Sequence, residues 1–202
     1  YLSGPGGHTA RPHLTADLVY AMGRIIVDVP GLLSRVVDPR AGLSLVWGEV
    51  QAGRTANAMP AAGVLRGTVR MLDRSAWRIA PDLLRRLVAE VVAPTGVKAE
   101  VEYTPGVPPV DNDPAVIAML RVAALAALGS KAVTDTKQSL GGEDFAWYLD
   151  KTPGALARLG TAPPAEAGAT PCDLHQGSFD IDERAIAVGT RLLVHTAHTA
   201  LR

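Results

Sequence analysis

Residues 104–114 read TPGVPPVDNDP, and four prolines and a glycine in eleven residues let neither a helix nor a ladder strand run through them. The chain is therefore expected to fold as two parts, 1–112 and 113–202, with Asp113 placed to cap a helix opened by Pro114. Ahead of the break the hydrophobic period changes in a readable order. Leu14, Leu18, Met22 and Ile25, with Ala21 and Ile26, recur at helical spacing and predict an amphipathic helix over 15–27. Residues 42–50 (GLSLVWGEV) and 63–72 (GVLRGTVRML) read as strands, and in the second Leu65, Val69 and Met71 alternate with Arg66, Thr68 and Arg70. Leu83, Leu84, Leu87, Val88, Val91 and Val92 mark a second helix. Val97, Ala99, Val101 and Tyr103 then alternate with Lys98, Glu100 and Glu102 in another one-sided strand. Helix, strand, strand, helix, strand is an α/β (α+β) pattern: a split βαβ, ferredoxin-like four-stranded sandwich whose first strand lies at or before residue 1.

Beyond the break the pattern thins. It predicts an Ala-rich helix over 115–128, a short strand around Ala132–Thr136, a Gly-Gly loop at 141, a helical turn through Phe145–Leu149, a Gly/Pro/Ala-rich loop over 160–171, and a last helix from about Asp182 to the end. One helix, one or two short strands and another helix are too little for a free-standing sheet domain, so this part reads as half of something.

Bulk properties exclude several partners. Lys plus Arg is 20 and Asp plus Glu is 20, so no net field favours nucleic acid or an anionic membrane. No apolar run has the length of a membrane span, and the single cysteine, Cys172, forms no internal disulfide. A soluble, cytoplasmic protein fits; a secreted one whose signal has been removed is the alternative.

Three places are equipped for chemistry. The opening SGPGGHTARP packs three glycines and two prolines around His8, which a tight turn can project as a hydrogen-bond donor or metal ligand; as a surface turn it needs no function. No GK[ST] follows, which argues against a phosphate cradle. In SLGGEDFAWY, residues 139–148, Glu143 and Asp144 follow two glycines and either serve a site or cap a helix start. In CDLHQGSFDIDE, residues 172–183, His175 lies in a loop before the last helix, and by spacing alone it is no metal site. His195 and His198 share a face of that helix with Arg191 and Arg202 and read as a solvated stripe. Arg66 and Arg70 fit a carboxylate fork or an exposed sheet face equally well.

GPGGHTARP, ANAMP, GTVR, GGEDFAWYL, PGALARLG and LHQGSFDIDERAIAVG stand in the order and approximate spacing of one family. The chain resembles, over essentially its whole length, the two-metal aminoacylases and carboxypeptidases of the hippurate hydrolase, N-acyl-amino-acid and auxin-conjugate amidohydrolase group. The resemblance implies a four-stranded lid or dimerisation domain inserted into a zinc-peptidase-like, three-layer α/β/α catalytic domain. Residues 1–112 look like the lid, and 113–202 like the C-terminal portion of the catalytic domain. It implies a metal-dependent hydrolase of linear amides, acting on N-acyl amino acids or small peptides, with two divalent ions (Zn or Mn) and a homodimer formed through the lid.

By the same resemblance His8 matches a lid histidine that is not a ligand but stabilises the oxyanion, and Asn57 a lid asparagine that orients substrate. His175 matches the last metal ligand. Glu143 matches an acidic position beside that site, and Gly141 and Gly142 line the pocket. The family's His-x-Cys motif, a further histidine and a Glu-Glu pair have no counterpart in the 202 residues. A lone His175 does not hold two ions, so the chain by itself is expected to be inactive: a truncated or proteolysed piece of an enzyme, or a natural remnant. The alternative function is a metal-free dimerisation or interaction module.

Overall fold

The computed structural model describes residues 1–163 and 174–201; Cys172, Arg202 and most of the Gly/Pro/Ala-rich loop expected over 160–171 lie outside the described residues. The chain divides into two compact units, Tyr1–Pro109 with Leu140–Glu143, and Val110–Ser139 with Asp144–Arg202.

The first unit is an α/β sandwich. Its elements in chain order are β1 (Leu2–Ser3), β2 (Gly7–His8), α1 (Leu18–Val36), β3 (Ser44–Ala52), β4 (Ala58–Met59), β5 (Ala62–Arg70), α2 (Arg74–Val92) and β6 (Lys98–Ala99). The main sheet has the order β3-β5-β1-β6 with antiparallel neighbours, and β2 pairs with β4 in a separate two-stranded ribbon. The expected first strand is thus β1, in the middle of the sheet.

One core holds the layers together. Leu18, Met22, Ile25, Val29 and Leu33 of α1 meet Leu84, Leu87, Val88 and Val91 of α2 over Leu2, Leu45, Leu65 and Val69 of the sheet. Removing such side chains from water is the main stabilising term in a unit of this kind. Gly63 shows how close the layers come, because a Cβ there would lie 2.7 Å from Met22 Cε and 2.8 Å from Leu18 Cδ2. The register between β3 and β5 slips between Trp47 and Glu49, so a bulge at Gly48 reverses which side chains face out. It leaves Glu49 opposite Arg66, where the two form an exposed ion pair at 2.6 Å.

Both helices run further than their periodicity predicts. α1 starts where Asp17 accepts from the Tyr20 amide at 2.9 Å and continues through Pro30 to Val36. α2 starts where Asp73 accepts from the Ala76 amide at 2.7 Å and continues through Pro81. An interior proline removes one helical hydrogen bond, and burial of the surrounding apolar face outweighs that loss. The strand expected over 97–103 shrinks to Lys98–Ala99, since beyond Glu100 no neighbouring strand pairs with it.

The second unit contains α3 (Pro114–Leu128), a 3-10 turn at Ser130–Ala132, a 3-10 run at Asp144–Asp150, and α4 (Arg184–Ala200). Asp113 caps α3 as expected, accepting from the amides of Ala115 (2.9 Å) and Val116 (3.0 Å). Asn112 imitates a strand partner: its Nδ2 donates to the Leu156 carbonyl (3.0 Å) and its Oδ1 accepts from the Leu156 amide (2.8 Å). The strand expected around Ala132–Thr136 is not formed. Ala132 closes the 3-10 turn and the residues after it have no ladder partner, and a strand exists only against a neighbour. Among the described residues this unit therefore shows the helical layer of the expected three-layer domain and no sheet.

Candidate functional site

The glycine loop is built to present one imidazole. Gly6 has φ +66°, and a Cβ on it would stand 3.2 Å from the Met59 carbonyl oxygen, so a side chain there would be strained by conformation and crowded for space. A Cβ on Gly7 would come within 3.2 Å of the Thr15 side chain, and Thr15 Oγ1 donates to the Gly6 carbonyl. With the loop held from both sides, β2 pairs with β4, Gly7 opposite Met59 and His8 opposite Ala58.

His8 is exposed, and its Nδ1 accepts the amide of Ala10 at 3.0 Å. That bond assigns the neutral ring its proton on Nε2, which then faces outward as a donor with no partner among the described residues. Asn57, also exposed, joins it through the Thr9 amide, which donates to the Asn57 carbonyl. The structure thus brings His8 and Asn57 to neighbouring strand ends. Thr15 and Ala10, which hold the loop and the ring, were not singled out from the sequence; a threonine just ahead of a helix is the only hint they offered.

Leu140–Glu143 belongs to the same compact unit. Arg70 Nη1 donates to the Leu140 carbonyl at 3.0 Å, and Gly142 lies so near Val107 that a Cβ would meet its Cγ2 at 2.8 Å. Gly141 and Gly142 line a cavity of about 590 Å³ beside β5, and Glu143 is exposed next to it. Arg66 is engaged with Glu49.

His175 lies in the second unit, exposed, in the loop leading to α4. It has φ +68° and is the one non-glycine residue with positive φ among the described residues. A left-handed histidine costs of the order of 1 kcal/mol and is a conformation concentrated at functional sites. The loop closes with the Phe179 amide donating to the Gln176 carbonyl, and the Asp182 amide donating to the Thr161 carbonyl. Asp182 in turn accepts from the guanidinium and the amide of Arg184, which holds its carboxyl down to about 2.

No group of three or more His, Cys, Asp or Glu side chains among the described residues is gathered closely enough to hold a metal ion. The donors among the described residues do not fit a dinuclear centre by themselves. No helix among the described residues is long and apolar enough to cross a membrane.

The first unit is thus a split βαβ sandwich that presents His8 on a short ribbon, and the second is a helical unit with an exposed, left-handed His175. The chain belongs to peptidase family M20/M25/M40, whose model matches residues 6–199. It is 32% identical over 200 residues to the N-acetyl-L-cysteine deacetylase of Bacillus subtilis, covering 99% of this chain and 46% of that protein. It is 44% identical over 189 residues to a Rhodococcus jostii protein provisionally named glutamate–cysteine ligase 2-3, covering 94% of this chain and 24% of that one. Among solved structures, a dinuclear metal-binding peptidase of the M20 family from Bacillus subtilis superposes with a TM-score of 0.73 at 29% identity, over 97% of this chain and 47% of that one. The chain spans half or less of the length of these curated relatives.

Proposed function

We propose that the chain forms the lid and the closing part of a metal-dependent amidohydrolase that cleaves the amide bond of N-acyl amino acids or small peptides. The Ala10–His8 hydrogen bond carries this reading. It fixes a hydrogen-bond donor at Nε2, which is what a developing oxyanion on a scissile carbonyl requires. Asn57 is the lid partner that orients the substrate, and Glu143 with Gly141 and Gly142 contacts it. His175 is the ligand this chain contributes to the metal centre; its strained backbone supports an assigned role. Divalent ions in such a centre act as Lewis acids toward water and carbonyl. Substrates resembling N-acetylcysteine are the first to assay, since relatives at 32% identity carry that activity in their names.

The lid reading includes a homodimer. β3 is nine residues long and lies at the edge of the sheet with Val46 and Val50 exposed, an edge that pairs readily with a second copy.

The test is made in the full-length protein that carries this segment. His8→Ala is expected to lower kcat by about 10²- to 10³-fold, or roughly 3–4 kcal/mol of barrier, with Tm unchanged. A loss of less than threefold rejects the oxyanion role. His175→Ala is expected to lower bound divalent metal by elemental analysis, and unchanged stoichiometry rejects it as a ligand.

A further inference from the structure

The two chains that leave the β2–β4 ribbon at its His8 end each carry an arginine, one following His8 and the other preceding Asn57. Arg11 closes a turn back onto the ribbon, its amide donating to the His8 carbonyl at 2.9 Å. Arg54 follows Gly53, whose φ of +64° bends the chain so that a Cβ there would lie 3.6 Å from Pro60 Cγ. Between the two arginines the Thr9 amide donates to the Asn57 carbonyl at 3.3 Å and ties the chains together.

Both arginines are exposed, and neither guanidinium has a partner among the described residues. Elsewhere the chain pairs such groups: Arg24, Arg40, Arg66 and Arg121 each hold a carboxylate. The difference lies in the local sequence. Residues 1–16 and 50–72 contain no Asp or Glu, although the whole chain has 20. The acids that border these stretches are committed: Asp17 caps α1, Glu49 holds Arg66 and accepts from Gln51, and Asp73 caps α2. The ribbon end is therefore an uncompensated positive patch on a chain whose formal charge is zero.

A free guanidinium binds a carboxylate through two parallel N–H donors, which fixes its direction as well as its charge. We propose that Arg11 and Arg54 form an anion subsite flanking His8, and that it selects amide substrates carrying a carboxylate beyond the one on the released amino acid. The subsite rests on the amidohydrolase reading, in which the His8 Nε2–H meets the scissile carbonyl, and it adds the class of substrate. The second carboxylate stands either on the amino-acid side chain, as in an N-acyl aspartate or glutamate, or at the far end of a dicarboxylic acyl group. Exposed cations are screened by salt, so the selection weakens as ionic strength rises.

The experiment uses the full-length protein that carries this segment and measures kcat/KM for N-acetylglutamate against N-acetylglutamine, and for N-succinylalanine against N-butyrylalanine. The acidic member of at least one pair is expected to be preferred by about tenfold or more, and the pair that shows it tells which side of the amide carries the second carboxylate. Arg11→Ala and Arg54→Ala are each expected to remove most of that preference through KM. Arg54→Lys, which keeps the charge and loses the fork, removes part of it. Arg78→Ala, at another unpaired and exposed arginine, on α2, changes neither activity nor preference. No preference in either pair, or a preference that survives both alanine variants, overturns the proposal. His8→Ala tests the catalytic reading separately, since it lowers both members of a pair alike. If none of the four substrates is hydrolysed, the subsite is read without catalysis by titrating the 202-residue chain with N-acetylglutamate. The Nε resonances of Arg11 and Arg54 should then move while that of Arg78 stays, and no movement overturns the subsite.

Discussion

The amide of Thr9 donates to the carbonyl of Asn57 across 3.3 Å, so the two residues assigned to the lid's chemistry are tied by main chain and not by their own side chains. Anything that moves the β2–β4 ribbon moves both. Gly6→Ala is the direct probe, because it forces a Cβ into a left-handed residue 3.2 Å from the Met59 carbonyl. It is expected to cost about 1–2 kcal/mol in a urea melt and to shift the His8 and Asn57 resonances together. A silent melt would mean that the loop tolerates a different path.

The core of the first unit is expected to respond steeply. Leu33 is 1% exposed, and Leu33→Ala should lose about 3–5 kcal/mol by denaturant unfolding. Val50, on the open edge at 54% exposed, should change by less than about 1 kcal/mol when made alanine. Similar costs at the two positions would contradict the packing described.

The second unit has a separable probe in Asp113. Its carboxylate takes two amides at the start of α3, so Asp113→Ala should destabilise that helix by about 1 kcal/mol, while Asp113→Asn, which keeps the acceptor, should lose much less. Helix-specific hydrogen exchange distinguishes the two.

Acid should loosen the start of α4 before it loosens the first unit's core. The Arg184 side chain, with its amide, lowers the Asp182 carboxyl from the usual value near 4 to about 2. A depressed folded pKa contributes stability that is fully present above the unfolded value and is lost as pH falls from about 4 through 2. A carboxyl carbon titration by NMR should place the Asp182 midpoint near 2, and Arg184→Ala should return it toward 4. A midpoint near 4 in the unaltered chain would remove the contact.

Much of the architecture was readable from periodicity, because helices and half-buried strands write their faces into the order of apolar residues. Leu83 to Val92 and the Leu65/Arg66 alternation are of this kind. The helix ends were not legible in the periodicity: α1 runs on past Pro30 and α2 begins ahead of Pro81, with buried residues on both sides of each proline. The strand at 97–103 was legible as a pattern but not as a paired element. Its alternation is real, yet pairing depends on a neighbour from elsewhere in the chain. Spacing alone did not link His8 to Asn57; the resemblance matched both to lid residues, and a contact between residues so far apart in sequence leaves no periodic trace. The φ of His175 was equally invisible, because histidine occupies both sides of the map.

A sheet with Leu2 and Ser3 between β5 and β6 has an order of assembly written into it. β3 and β5 are close in sequence and can zip as a hairpin on their own, but β6 reaches them only across those two early residues. On the ribosome, residues 2–3 emerge long before 98–99, so they must wait, unpaired on one side, until the far edge is made. Closure of this sandwich is a late, long-range event, slow for the same reason that distant contacts are slow in any small domain.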